Sequence, residues 1–206
     1  MLQNRVDPLG NIIRTPARGA WMGNRGLLHD ENQRVQRPWR LKAWLICLLA
    51  FKGRARKVMS PHLYTELFFL DEATAFAAGH RPCFECRREA AMRFRKAWVK
   101  GNPACHFSEN VSIGEIDAII HKERIDEKGA KVTFRATLKE LPSGAFVLYE
   151  DQPHLIREGI LFLWTPSGYE ARINVPVESE LEVLTPRSTV GAFRAGYIPQ
   201  MADYAG

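Results

Sequence analysis

The chain predicts an α+β protein, with a small N-terminal sheet, a Cys-x-x-Cys turn with its helix, and then a β-rich antiparallel C-terminal part. Three observations support this. Residues 87–100 and 113–124 carry apolar side chains at helical spacing. Beyond residue 129 the texture changes to short apolar runs, "KVTFRATL", "GAFVLYE", "HLIREGILFLW", "YEARINV" and "LEVLT", separated by Gly, Pro and Ser, as in antiparallel strands. The charge divides in the same region: residues 1–100 hold 19 Lys and Arg against 8 Asp and Glu, and residues 101–206 hold 10 against 15. The boundary falls at "DEKG", 126–129. It gives a basic α+β region, 1–128, and a β-rich region, 129–206, as two units or one continuous domain.

In chain order, "RVDPLGNIIRT" predicts a hairpin turning at "DPLGN". A Gly- and Arg-rich segment, "TPARGAWMGNRGLLHDENQRVQRPWR", has no clean period and reads as a long ordered loop. "AWLICLLAF" is apolar nearly throughout, as a strand covered on both faces would be. "KGRARK" then makes a basic turn and "KVM" a return strand. Ser60 and Pro61 can start a helical turn, and "LFFL" is a strand. Asp71 caps a short helix, "EATAFAA", which Gly79 closes. In "RREAAMRFRKAWVK", Ala90, Phe94, Ala97 and Trp98 form one stripe, and "KGNP" ends the helix. Ser112 and Glu115 form a capping box for a helix over 113–124, with Ile113, Ile116, Ile119 and Ile120 on its apolar face. The C-terminal runs suggest a small barrel or curled meander. A last helix, "PRSTVGAFRA", ends at Gly196.

With 206 residues the chain can bury a full core without disulfides. Composition is that of a globular protein, 46% apolar and 25% charged. No run approaches the ~18 apolar residues of a membrane span. The first residues lack a signal-peptide layout, so a cytoplasmic protein is expected. The net charge of +6, concentrated in the first half, favours an anionic partner, with nucleic acid first and DNA ahead of RNA.

In that setting the four cysteines, Cys47, Cys83, Cys86 and Cys105, are expected to be reduced. Cys83 and Cys86, with two residues between them, stand on a turn that runs into a helix, beside Arg81, Arg87 and Arg88. Thiolates at that spacing can share one zinc, and the helix N-terminus and the arginines favour the ionised form. Zinc takes four ligands, and this is half a set. Cys47, Cys105 and His106 are the candidates to complete it, although Cys47 in "LICLL" also reads as a core residue and Cys105–His106 as a surface loop. His80 reads as a helix-end residue. A packed, metal-free turn is the other reading.

"LFFLDEATAFAAGHRPCFECRR" resembles the C-terminal half of the Ada-type metal-binding domain, the zinc module of the bacterial methylphosphotriester repair protein. The resemblance spans about residues 66–90 and rests on Gly79, Arg81, Pro82, Cys83 and Cys86. It implies that Cys83 and Cys86 bind zinc and that the surface around Arg81, Arg87 and Arg88 touches phosphates. It does not imply methyl transfer. The family's other cysteine pair falls where this chain reads "FKGRARKVMSPHLY", without a cysteine.

Elsewhere, "GNRGLLHDE" gathers His29 and Asp30, candidates for a metal-assisted hydrolase or nuclease site, although the segment also reads as a Gly-turned loop. Phosphate loops, dinucleotide fingerprints, nucleophile elbows and H-E-x-x-H motifs are absent from the sequence. Trp39, between Arg37 and Arg40, is a candidate for stacking on a base. The expected function is nucleic-acid binding, with Arg81, Arg87, Arg88, Arg93, Arg95 and Lys96 contacting phosphates and 34–42 and 52–57 as flanking basic segments. The alternatives are a metal-dependent nuclease or hydrolase and a metal-free protein-interaction module.

Overall fold

Asp7, Pro8 and Gly10 fold the start of the chain back on itself. Strand β1 (Arg5–Val6) pairs antiparallel with β2 (Ile12–Ile13), and Gly10 turns the corner at φ +93°. The Asp7 carboxylate accepts the Asn11 amide at 2.9 Å, fixing the turn as short polar side chains do. Strands β3 (Trp21–Asn24), β4 (Leu45–Cys47), β5 (Leu67–Phe69) and β6 (Arg81–Pro82) complete a six-stranded sheet in the order β2-β1-β5-β3-β4-β6. It is mixed, because β1–β5 and β4–β6 run parallel. This computed structural model of the chain describes residues 1–53 and 57–204.

β4 is shorter than its apolar run predicts. It stops at Cys47, Leu49 and Ala50 are exposed, and the Leu48 amide donates to the Cys86 sulfur, away from the sheet ladder. The return strand expected at "KVM" is instead a turn, in which Met59 adopts φ +54° and buries its side chain. The basic turn at 52–57 includes residues 54–56, which lie outside the described residues.

Helix α1 (Glu72–Ala77) is capped by Asp71, whose carboxylate accepts the Thr74 amide at 2.7 Å. Gly79 follows at φ +88°. Helix α2 (Arg88–Gly101) buries Ala90, Ala91, Phe94 and Trp98. Helix α3 (Ile113–Arg124) starts at the reciprocal Ser112–Glu115 capping box. The second sheet contains β7 (Phe134–Thr137), β8 (Phe146–Tyr149), β9 (Gln152–Arg157), β10 (Ile160–Thr165), β11 (Gly168–Ile173) and β12 (Glu180–Val183). Its order is β11-β10-β9-β8-β12-β7, antiparallel throughout and open at both ends. Helix α4 (Arg187–Arg194) stops before Gly196, at φ +108°.

The texture change at 126–129 is no break in packing. Ala75, Phe76 and Ala78 pack in the core of the first sheet, whereas Ala73 and Ala77 pack with Phe146, Leu155, Trp164 and Leu184 of the second half. The Trp164 indole donates to Thr74 at 3.1 Å, and the Tyr169 hydroxyl donates to Asp71 at 2.7 Å. α4 returns to the first half and places Ala192, Phe193 and Tyr197 against Phe76 and Phe94. Gly101 of α2 meets Gly191 of α4 so closely that a Cβ on Gly101 would lie 2.0 Å from the Gly191 carbonyl oxygen. No helix among the described residues is long and apolar enough to cross a membrane.

Candidate metal centre

β4 and β6 place the first two thiols. They lie parallel with Leu45 opposite Arg81 and Ile46 opposite Pro82, and the Cys83 amide extends the pairing to the Ile46 carbonyl at 3.0 Å. Cys47 and Cys83, each one residue beyond a paired position, therefore emerge together. The chain then turns, with the Arg87 amide bonding the Cys83 carbonyl at 3.0 Å, and brings Cys86 alongside. The three sulfur atoms lie within 4.8 Å of one another. Cys47 and Cys83 are buried and Cys86 is half-exposed.

The hydrogen bonds around this group favour one ionised sulfur. Cys83 accepts hydrogen bonds from the Cys47 thiol and from the amides of Cys86 and Glu85, the latter at 3.3 Å, and these lower it to about 5 against the opposing effect of burial. Cys47 is pushed up, first by donating to Cys83, then by burial and by the charge on Cys83. Burial, then the Cys83 charge, raises Cys86. The result is a thiolate flanked by two thiols.

Around a tetrahedral zinc with Zn–S near 2.3 Å, sulfurs stand about 3.8 Å apart. The observed group needs a contraction of at most about 1 Å to reach that. Three thiolates suit zinc or another thiophilic ion, so these residues fit a metal. Among the described residues no fourth histidine, cysteine or carboxylate joins them. Beside Cys86 lies an open hollow of about 410 Å³, lined by Leu48, Glu85, Arg88, Glu89 and Arg93 among others.

Of the three expected completing ligands, the structure brings in Cys47 and leaves out the other two. Cys105 sits half-buried in a 3-10 turn (Pro103–Cys105) against the first core, and His106 follows it at φ +53°. His80 is a core residue: its ring lies against Trp44 and Phe69, and its Nε2 accepts the Arg25 Nε–H at 3.1 Å.

His29 and Asp30 are occupied within the fold. The buried His29 ring bonds Thr65 at 2.6 Å and the Ser60 carbonyl at 3.2 Å. Asp30 accepts the amides of Asn32 and Arg34, each at 2.9 Å, and the side chain of Gln36. The local reason is the turn at Gln33, φ +61°, which folds residues 29–35 into a bridged loop around the carboxylate.

The basic candidates separate into two groups. Arg81 is buried and bidentate to Asp117, at 2.8 and 2.7 Å. The Arg87 side chain is buried, paired with Glu72 at 2.7 Å and stacked on Trp21. Neither presents a free cation. Arg88, Arg93 and Lys96 are exposed on α2, with Arg95 half-exposed beside them. Trp39 packs edge-on against His121, with ring centroids 4.5 Å apart.

Arg124 and Lys131 carry no signal in the sequence, and Arg25 stands out there only as one of the polar side chains of "GNRGLLHDE"; Arg25 and Arg124 stack on Trp44, and Lys131 lines a cleft with them. No motif marks them, because they come from a loop, the end of α3 and the segment before β7. Comparisons with protein-family models, with curated proteins and with solved structures each return no match.

Proposed function

We propose that this is a nucleic-acid-binding protein in which Cys47, Cys83 and Cys86 hold a structural zinc ion, a knuckle of the kind that residues 66–90 resemble in the Ada-type domain. The convergence of three sulfurs from two strands and a turn carries this reading. The metal would tie β4 to the start of α2, and so fix the helix whose outer face bears Arg88, Arg93 and Lys96. The exposed Arg34, Arg37 and Arg40 supply a second basic segment. Surface guanidinium and ammonium groups of this kind bind phosphates by releasing counterions.

Duplex DNA is the first ligand to test. If four phosphates are contacted, log K should fall with log salt at a slope of roughly −3.6. Replacing Arg88, Arg93 and Lys96 together with glutamine should reduce that slope by about 0.9 for each phosphate contact removed. A Kd that stays constant between about 50 and 200 mM salt contradicts the reading.

The hollow beside Cys86 favours a second reading. A metal with three protein ligands keeps a position for water, as catalytic zinc does, and the site would then hydrolyse phosphodiesters. Metal-dependent cleavage of an oligonucleotide, lost in a folded Cys86→Ser variant that still binds it, would select this reading over the structural one.

A further inference from the structure

A separate cleft of about 430 Å³ opens between the β1–β2 turn, the 35–39 loop, the end of α3 and the segment at 129–131. Its walls include Arg25, Arg124, Lys131, Trp39 and Trp44. Arg25 and Arg124 are each 1% exposed, and each guanidinium lies 3.8 Å from the Trp44 ring centre.

The bonds these cations make go to neutral groups. Arg25 donates to the carbonyls of Gly10 and Pro38 and to His80. Arg124 donates to the carbonyls of Gly79 and Lys42 and to His121. Lys131 donates to the Ala77 carbonyl. Arg25 Nη2 and Arg124 Nε are buried with no partner among the described residues. Arg25 Nη2 faces Gly10, 3.9 Å from where a Cβ on that cleft-lining glycine would stand.

The carboxylates nearby offset them only in part: Asp7 raises the proton affinity of Arg25 and Lys131, and Asp117 that of Arg124, each by less than burial lowers it. Asp117 is held bidentate by Arg81, and Asp7 is bound by the Asn11 amide and side chain. The strain shows in the proton affinities. Burial pulls Arg25 to about 9; burial and then the Arg25 charge pull Arg124 to about 8 and Lys131 to about 7. Buried charge with incomplete counter-charge is costly, and a bound anion would relieve it.

We propose that this cleft binds a phosphate monoester, with Arg25, Arg124 and Lys131 around the phosphoryl oxygens and Trp39 beside the group that carries it. Arg25 Nη2 and Arg124 Nε each keep a donor for a phosphate oxygen, charge-assisted bonds of that kind are strong, and an ammonium adds a point charge. The cleft's volume suits a mononucleotide or the terminal nucleotide of a strand. The site is independent of the metal centre, since it shares no residue with it.

The test measures binding of AMP against adenosine, of inorganic phosphate, and of a 5′-phosphorylated oligonucleotide against its 5′-hydroxyl counterpart, all at one ionic strength. The wild-type protein should bind AMP at least tenfold more tightly than adenosine, and inorganic phosphate should compete. Lys131→Gln, at a half-buried position, should weaken AMP about tenfold while the melting transition is retained. Arg25→Lys should weaken it too, and if that variant does not fold, Lys131→Gln carries the test. A tenfold preference for the 5′-phosphorylated oligonucleotide identifies a strand end as the source; AMP binding without that preference identifies a free nucleotide. Equal binding of AMP and adenosine, or a folded Lys131→Gln protein that binds AMP like wild type, overturns the proposal. Loss of DNA affinity in the α2 triple variant with AMP binding intact would separate this site from the proposed DNA face.

Discussion

Cys83 acts as the acceptor in the thiol group, and two consequences follow at the scale of single residues. With Cys83 ionised and Cys47 and Cys86 protonated at neutral pH, binding a divalent metal should release about two protons. Metal affinity measured between pH 6 and 8 checks this, and a pH-independent affinity would contradict it. Cys47→Ser should abolish stoichiometric metal binding, whereas Cys105→Ser should leave it unchanged, as metal titration of the two folded variants can show. The role of Cys47 was half-hidden in the sequence. Its neighbours Leu45, Ile46, Leu48 and Leu49 mark it as strand, and nothing local tells a ligand from a core thiol. In the structure it is buried, with its sulfur within 4.8 Å of those of Cys83 and Cys86. His80 carries a third residue-scale expectation. Burial, then the charges of Arg25 and Arg124, push it well below 6.5, so it stays neutral in the folded protein while the unfolded chain protonates near 6.5. The stability tied to its neutrality is full above that pH and falls as pH drops below it, by up to about 1.4 kcal/mol per pH unit. A melting series from pH 7.5 to 5 should show a smaller acid loss in His80→Gln than in wild type.

Among the elements, the α2–α4 contact depends on two glycines. Gly101→Ala would place a methyl 2.0 Å from the Gly191 carbonyl oxygen. The clash should destabilise the protein by roughly 1–3 kcal/mol, the opposite sign to the gain of about 1 kcal/mol that alanine brings in an open helix. Chemical denaturation measures it. The elements themselves were largely legible where local chemistry decides them. Ser112 and Glu115 mark the start of α3, and Asp71 and Gly79 bracket α1, whereas "HLIREGILFLW" reads as one run and folds as β9 and β10, turning at Glu158 and Gly159 with φ +53° and +75°. Non-local partners were not legible. The parallel β4–β6 pairing spans only two residues on each strand, yet it brings Cys47 to Cys83. The pairs Arg81–Asp117 and Arg87–Glu72 likewise involve arginines that read in sequence as surface cations, because their carboxylate partners lie on other elements.

For the whole molecule, the two sheets share their cores through α1 and α4, so the halves should not fold apart. A chain cut after residue 128 would lose the Asp71–Tyr169 and Thr74–Trp164 bonds and the packing of Phe193 and Tyr197 on Phe76. It should give the poorly dispersed amide spectrum of an unfolded chain, whereas a folded fragment would show the halves to be independent. The charge asymmetry is a property of the whole chain, and burial of Arg25 and Arg81 removes two cations of the basic half from the surface. The cations left outside concentrate on α2 and in the 34–42 loop. The claim that joins these scales is that three sulfurs hold one metal. Native mass spectrometry of protein made with supplied zinc, before and after chelation, combined with residue-by-residue alkylation, tests it most directly. The account predicts one zinc per chain, with Cys47, Cys83 and Cys86 protected until the chelator is added. A metal-free mass, with Cys83 and Cys86 alkylated equally with and without chelator, would contradict it.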